Sequence, residues 1–179
     1  MGTVEVNRSA KVRLPFDAEL YAPLIETEDD PESLATFYET TTNSEAQYGA
    51  PLISVNSDMI KLYNKTARQK IDIDAFEKGE VCLIGYVDSI SASEQMKDKT
   101  LTLVNDQTGG KRQITVGAAM MRTEQSAITA GYYWTLGGAP EAIFVSDAVM
   151  DDLFPDAEIS CIIADAEKGK ESEVTPYVQ

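Results

Sequence analysis

The chain has 179 residues, 43% hydrophobic and 25% charged, which suits a globular protein with one core or one domain with an inserted lobe. Thirty acidic residues against fifteen basic ones give a formal net charge of -15 at pH 7. This field repels nucleic acid phosphates and anionic lipid headgroups, so we expect no nucleic acid partner. The absence of histidine from the sequence excludes Ser-His-Asp and Cys-His nucleophile pairs and the commonest zinc sites.

The first half of the chain predicts two strands and a helix. Residues 11–20 alternate apolar and polar side chains, which is typical of a strand with one buried face. Residues 52–55 predict a second, short strand. Asn56 or Ser57 can cap a helix that runs to about Arg68, with Met59, Ile60 and Tyr63 on its inner face.

The next segment, IDIDAFEKGE at residues 71–80, has carboxylates at alternate positions and resembles a calcium loop at first sight. A calcium loop that started at Asp72 would need glycine and glutamate where Glu77 and Leu83 stand, so the spacing excludes it. The spacing favours a structural turn instead: Asp74 is predicted to cap one helical turn, with Glu77 three residues later, and Gly79 to end it.

The second half of the chain predicts a run of strands. Residues 80–88 read as a buried strand, and residues 100–104 and 112–116 flank a Gly-Gly turn as a hairpin. Residues 142–145 predict another strand, Ser146 the cap of a helix over 147–154, and residues 158–163 a last strand. Strands outnumber helices and partly form hairpins, which predicts an α+β fold.

Three groups of residues could carry function. Tyr132, Tyr133 and Trp134 stand beside a Gly-Gly turn, and we expect core packing or, as the alternative, a contact surface for a partner or substrate. The carboxylate pairs Asp29-Asp30 and Asp151-Asp152 could do acid-base chemistry, but solvated surface charge explains them better. We therefore predict no catalytic, metal or cofactor residues.

The two cysteines, Cys82 and Cys161, stand far apart in apolar runs. Two buried thiols are the favoured interpretation, and a disulfide in an extracytoplasmic protein is the alternative. Both chain ends look cut from a longer protein: the chain starts close to a predicted strand and stops after residues 172–179 without a turn or cap.

A family resemblance rests on the segments PLISVNSDMIKLYNK, AFEKGEVCLIGYV and EAIFVSDAVMDDLFPDAEISCIIAD. Their order, with F-x-x-G before an apolar strand and I-x-V-S before a short helix ending in LFP, resembles the extracytoplasmic loop of bacterial FtsX-like ABC transporter permeases. That loop is also called the MacB-type periplasmic core domain. The resemblance covers residues 52–166, whereas the C-terminal helix that returns the family's chain to the membrane is barely begun at Gln179.

The resemblance implies a two-lobed α+β domain: a mixed α/β membrane-proximal lobe from residues 1–50 and 157–179, and an inserted β-rich lobe from residues 51–156. It implies a non-catalytic domain on the extracytoplasmic face of the cell membrane. Such a domain binds a peptide, lipid or protein and relays conformational change driven by a cytoplasmic ATPase subunit. A free-standing secreted or lipid-anchored surface binding domain is the alternative, and an acidic hydrolase is a third.

Overall fold

A computed structural model describes residues 4–14, 48–87, 90–121 and 142–164. Seven strands lie within these ranges: β1 Val4–Leu14, β2 Tyr48–Ser54, β3 Val81–Val87, β4 Thr100–Val104, β5 Lys111–Met121, β6 Ile143–Val145 and β7 Ile159–Ala164. The helices within them are α1 Ser57–Thr66, α2 Ile73–Glu77, α3 Ile90–Met96 and α4 Asp147–Leu153. The predicted α+β class is confirmed.

Six of the strands close into a barrel. Around the ring they follow the order β1, β2, β6, β3, β5 and β4. The pairs β2–β6 and β3–β5 are parallel, and the other pairs of the ring are antiparallel. Arg13 of β1 lies opposite Val104 of β4 and completes the ring. The seventh strand, β7, pairs with the first part of β1 and extends the sheet beyond the barrel.

The two-residue period of the strands builds two apolar clusters on opposite faces of the sheet. One cluster takes buried side chains from all six barrel strands and therefore fills the interior, with Val149 and Met150 of α4 packed against it. The other covers the outer face of β2, β3, β5 and β6, where Tyr63 of α1 and Phe76 of α2 pack. Consecutive residues such as Leu52 and Ile53 serve the two clusters in turn.

The turn at residues 71–80 corrects one prediction. The N-cap of α2 is Asp72, whose carboxylate accepts a hydrogen bond from the Ala75 N–H at 2.9 Å, and Asp74 lies in the first turn of the helix. The predicted capping box, with Asp74 as N-cap and Glu77 three residues later, does not form, because the N-cap lies two residues earlier at Asp72. Gly79 has a φ of 72° and ends the turn as predicted.

The other predicted elements differ from the structure mainly at their ends. The α1 helix starts after Asn56, whose side chain accepts from the Met59 N–H at 3.0 Å. The predicted hairpin forms from β4 and β5, with Val104 opposite Lys111 next to the turn. Strand β1 starts earlier than predicted, at Val4. The α3 helix was not predicted. Among the helices of the described ranges, none is both long and apolar enough to cross a membrane.

Candidate functional site

A groove of about 520 Å³ lies where three segments meet beside β1. One wall is β1 itself, the second is the turn between β4 and β5, and the third is the connection from α4 to β7. The lining residues are Ala10, Lys11, Val12, Arg13, Asn105, Asp106, Gln107, Thr108, Phe154, Pro155, Asp156 and Ala157. Its volume falls in the range of ligand-binding clefts.

The first and second walls are joined by an ion pair. The Arg13 guanidinium donates through Nε to the Asp106 carboxylate in a short hydrogen bond. Both side chains keep access to solvent, so the pair contributes only modestly to the free energy of folding. It adds one link between the turn and β1, close to the point where Arg13 and Val104 close the barrel.

The second and third walls are joined by Asn105, a buried polar residue that begins the hairpin turn. Its side-chain N–H group donates to the Leu153 carbonyl at 2.7 Å, at the end of α4. Its side-chain oxygen accepts from the backbone N–H groups of Gln107 and Thr108, at 2.9 and 3.3 Å. One amide therefore shapes the turn and holds the last turn of α4 beside it.

The third wall returns to β1 through the backbone. The Ser9 N–H donates to the Glu158 carbonyl at 3.2 Å, just before β7. The segment after α4 turns tightly, since the Ala157 N–H donates to the Phe154 carbonyl at 3.0 Å. Each wall of the groove is thus bonded to the other two, which makes a pre-formed site.

The chemistry of the groove suits contact with a ligand. Lys11 and Arg13 contribute positive charge and Asp106 and Asp156 negative charge, so the groove is locally balanced on a chain of net charge -15. Phe154 and Pro155 add apolar surface. Within the described ranges, no three carboxylate or thiol side chains come together as metal ligands.

The predicted contact residues Tyr132, Tyr133 and Trp134 lie outside the described residues, as does the pair Asp29-Asp30. The carboxylates of Asp151 and Asp152 do not face each other across a cleft. Asp151 pairs with Arg8 at 2.8 Å, and Asp152 pairs with Arg112 at 2.7 Å. Both are exposed and tie α4 to neighbouring strands, as the surface-charge interpretation predicts.

Both cysteines are free thiols. Cys82 is fully buried in the barrel interior, and burial raises the pKa of its thiol to about 12. Cys161 is only partly buried and packs against the outer cluster. The prediction of two buried thiols therefore holds fully for Cys82 alone.

Comparison with protein-family profiles, with curated proteins and with solved structures returned no match. What the described residues define is the class: an α+β protein with a closed six-stranded barrel and a groove on its surface.

Proposed function

We propose that this chain is a non-catalytic extracytoplasmic domain of an FtsX-like ABC transporter permease. It binds a substrate or partner protein in the groove beside β1 and relays conformational change between that ligand and a cytoplasmic ATPase subunit. The observation that carries the proposal is the pairing of β1 with β7, where Val4 lies opposite Ala164. The chain enters and leaves the barrel side by side, an arrangement that suits a domain inserted between two membrane segments.

The two-lobed architecture belongs to the same proposal. Residues 4–8 of β1 and the whole of β7 form a two-stranded ribbon outside the ring. The ribbon exposes the cross-strand pair Val6 and Ile162, which are 45% and 63% accessible. We propose that it is the root of the membrane-proximal lobe. The predicted division, with residues 1–50 and 157–179 in one lobe and residues 51–156 in the other, stays a prediction. Residues 9–14 of β1 pair with β2 as part of the barrel.

The groove connects the ligand to this ribbon. Its walls include the middle of β1 and the segment that leads into β7, and both strands continue into the ribbon. A ligand that moves the α4–β7 segment relative to β1 would act directly on the two strands that lead to the membrane. This provides a mechanical route for the proposed relay.

The native reading frame and its product test the proposal. We expect apolar segments of about 20 residues on both sides of this chain and an ATPase gene beside it. The full-length product should co-purify from membranes with that ATPase. A reading frame without membrane segments would overturn the proposal and favour a free-standing surface domain.

A further inference from the structure

We infer that the groove binds an extended polypeptide segment of a partner protein by strand addition to β1, with Lys11 at the centre of the contact. This names the ligand class of the groove. It rests on the proposed binding role and does not depend on membership of the permease family.

The first support for the inference is the edge of β1 to which each backbone N–H and C=O group points. In a strand, the N–H and C=O of one residue point to the same edge, and those of the next residue point to the other edge. The Ser9 N–H donates to Glu158, on the β7 side, whereas the Arg8 N–H donates to the Ser54 hydroxyl at 3.2 Å, on the β2 side. Lys11, two residues after Ser9, therefore points its backbone groups to the β7 side.

That edge of β1 is interrupted at Lys11. The register of β7 with β1 stops at Arg8 opposite Ile159, and β4 meets β1 at Arg13. From Ser9 to Arg13 the strand covers about 13 Å, at roughly 3.3 Å per residue. No described strand faces Lys11 in this interval, and the groove occupies the space in front of it. Within the described ranges, the Lys11 N–H and C=O therefore have no strand partner on this edge.

The opposite edge of β1 is already satisfied, so an added strand need not disturb the barrel. Ala10 and Val12 lie opposite Leu52 and Ala50 of β2 and direct their backbone groups toward them. Lys11 lies opposite Pro51, which has no N–H to donate. The barrel and the proposed ligand thus use alternate residues of the same strand.

The surroundings of Lys11 define the peptide. A donor beside an acceptor matches a peptide backbone, whereas a phosphate headgroup offers acceptors and leaves the Lys11 carbonyl without a donor. The Lys11 ammonium is exposed and favours an acidic side chain directly across the added pair. Phe154 and Pro155 favour an apolar side chain nearby. The ligand is an extended segment of about three residues in contact, with an acidic residue opposite Lys11.

Amide hydrogen exchange of the 179-residue chain gives the first test. In the free protein the Lys11 amide should exchange faster than those of Ala10 and Val12, on the order of a hundredfold. The probe peptide is acetyl-Thr-Glu-Val-amide at millimolar concentration, whose three residues span about 10 Å and fit the interval. We expect it to slow exchange at Lys11 and to shift the NMR signal of the Lys11 amide. A Lys11 amide already protected in the free protein would show that the chain's own segments occupy the edge, and would overturn the inference.

Matched peptides and variants separate the backbone contact from the charge contact. Methylating the nitrogen of the central Glu should weaken binding roughly three- to tenfold, and replacing that Glu with Lys about two- to fivefold. Lys11→Pro removes both the donor and the charge without touching the β2 ladder, and should weaken binding by roughly six- to fiftyfold, the product of the two effects. Lys11→Ala removes the charge and leaves the backbone donor, so it should weaken binding less than Lys11→Pro does. Lys97→Ala changes an exposed lysine after α3 and is the control, which should bind the peptide normally.

If Lys11→Pro does not fold, Lys11→Ala and the methylated peptide still test whether the ligand binds by strand addition to β1. Absence of binding at millimolar peptide, or binding that ignores backbone methylation, overturns strand addition. The flanking reading frame and ATPase co-purification decide the permease proposal independently, so either conclusion can fail alone.

Discussion

Gly79 lies in close contact with two other elements, β5 and α4. It has a φ of 72°, and a Cβ added there would lie 2.7 Å from both the Val149 Cγ2 and the Arg112 Nη2 atoms. We expect Gly79→Ala to lower the free energy of unfolding by about 2–4 kcal/mol, because left-handed strain and overpacking against α4 add together. Urea denaturation followed by circular dichroism measures the loss.

Gly109 is the matched control for this substitution. It has nearly the same φ, 73°, but a Cβ added there meets no atom within 4 Å. Gly109→Ala should therefore cost only the backbone strain, about 1–2 kcal/mol. Equal losses in the two variants would show that the contact of Gly79 with α4 is not tight.

The position of the α2 cap can be tested by a pair of aspartates two residues apart. Asp72→Ala removes the acceptor of the Ala75 N–H and should lower the free energy of unfolding by about 0.5–2 kcal/mol. Asp74→Ala removes only a first-turn charge and should cost about 0.3–1 kcal/mol. Thermal or urea unfolding of both variants gives the order. A larger loss for Asp74→Ala would restore the cap predicted from the sequence.

At the scale of elements, α3 is held in place by polar bonds to its neighbours. The Gln69 side chain donates to the Ser93 carbonyl at 3.1 Å and accepts from the Ala119 N–H at 2.9 Å. The Ser93 hydroxyl in turn donates to the Ala119 carbonyl at 2.6 Å. The loop after α1, the α3 helix and β5 are thus joined through one small network.

We expect Gln69→Ala to lower the free energy of unfolding by about 1–3 kcal/mol, because it leaves the N–H of buried Ala119 without its acceptor. Gln95→Ala is the control: this exposed glutamine of α3 donates to the Ser91 hydroxyl, and its loss should stay within about 0.5 kcal/mol. Chemical denaturation compares the two. A small loss for Gln69→Ala would mean that water replaces the glutamine.

Local patterns predicted most of the strands and the α1 and α4 helices, because burial on one face leaves a periodic sequence. The β4–β5 hairpin is an example, with alternation on both arms and Gly109 in the turn. The α3 helix escaped prediction because its buried positions include the polar Ser93, whose partners are distant in sequence. Barrel closure likewise depends on a pairing between Arg13 and Val104, 91 positions apart (104 − 13), which no local pattern encodes.

The groove could not be predicted for the same reason. Its three walls come from separate parts of the chain, and long-range bonds such as that of Asn105 to Leu153 bring them together. Asn105 was the one residue whose type and position indicated part of the groove, since asparagine at the start of a hairpin turn favours side-chain bonds to the turn backbone. The aromatic residues 132–134 were a clear feature of the sequence, but they lie outside the described residues.

For the whole molecule, the barrel determines how a buried thiol responds to pH. Cys82 lies in the interior with its pKa raised from 9.0 to about 12 by burial. Below pH 9 the thiol is protonated in the folded and the unfolded chain, so it adds no pH dependence. Between pH 9 and about 12 the unfolded chain releases the proton while the folded chain retains it. The free energy of unfolding must therefore fall as the pH rises through this window.

A comparison with Cys82→Ala isolates this effect from the lysines and tyrosines that titrate in the same range. At pH 8 the variant should be less stable than the native chain, because the substitution leaves a small cavity. Above pH 9 the free energy of unfolding of the native chain should fall relative to that of the variant by about 1.4 kcal/mol per pH unit, or about 2 kcal/mol by pH 10.5. Only the native chain has the Cys82 thiol that titrates in this way. Urea denaturation at pH 8.0, 9.5 and 10.5 measures the difference. A constant difference would mean that the thiolate is tolerated inside, and hence that water reaches Cys82 without the barrel opening.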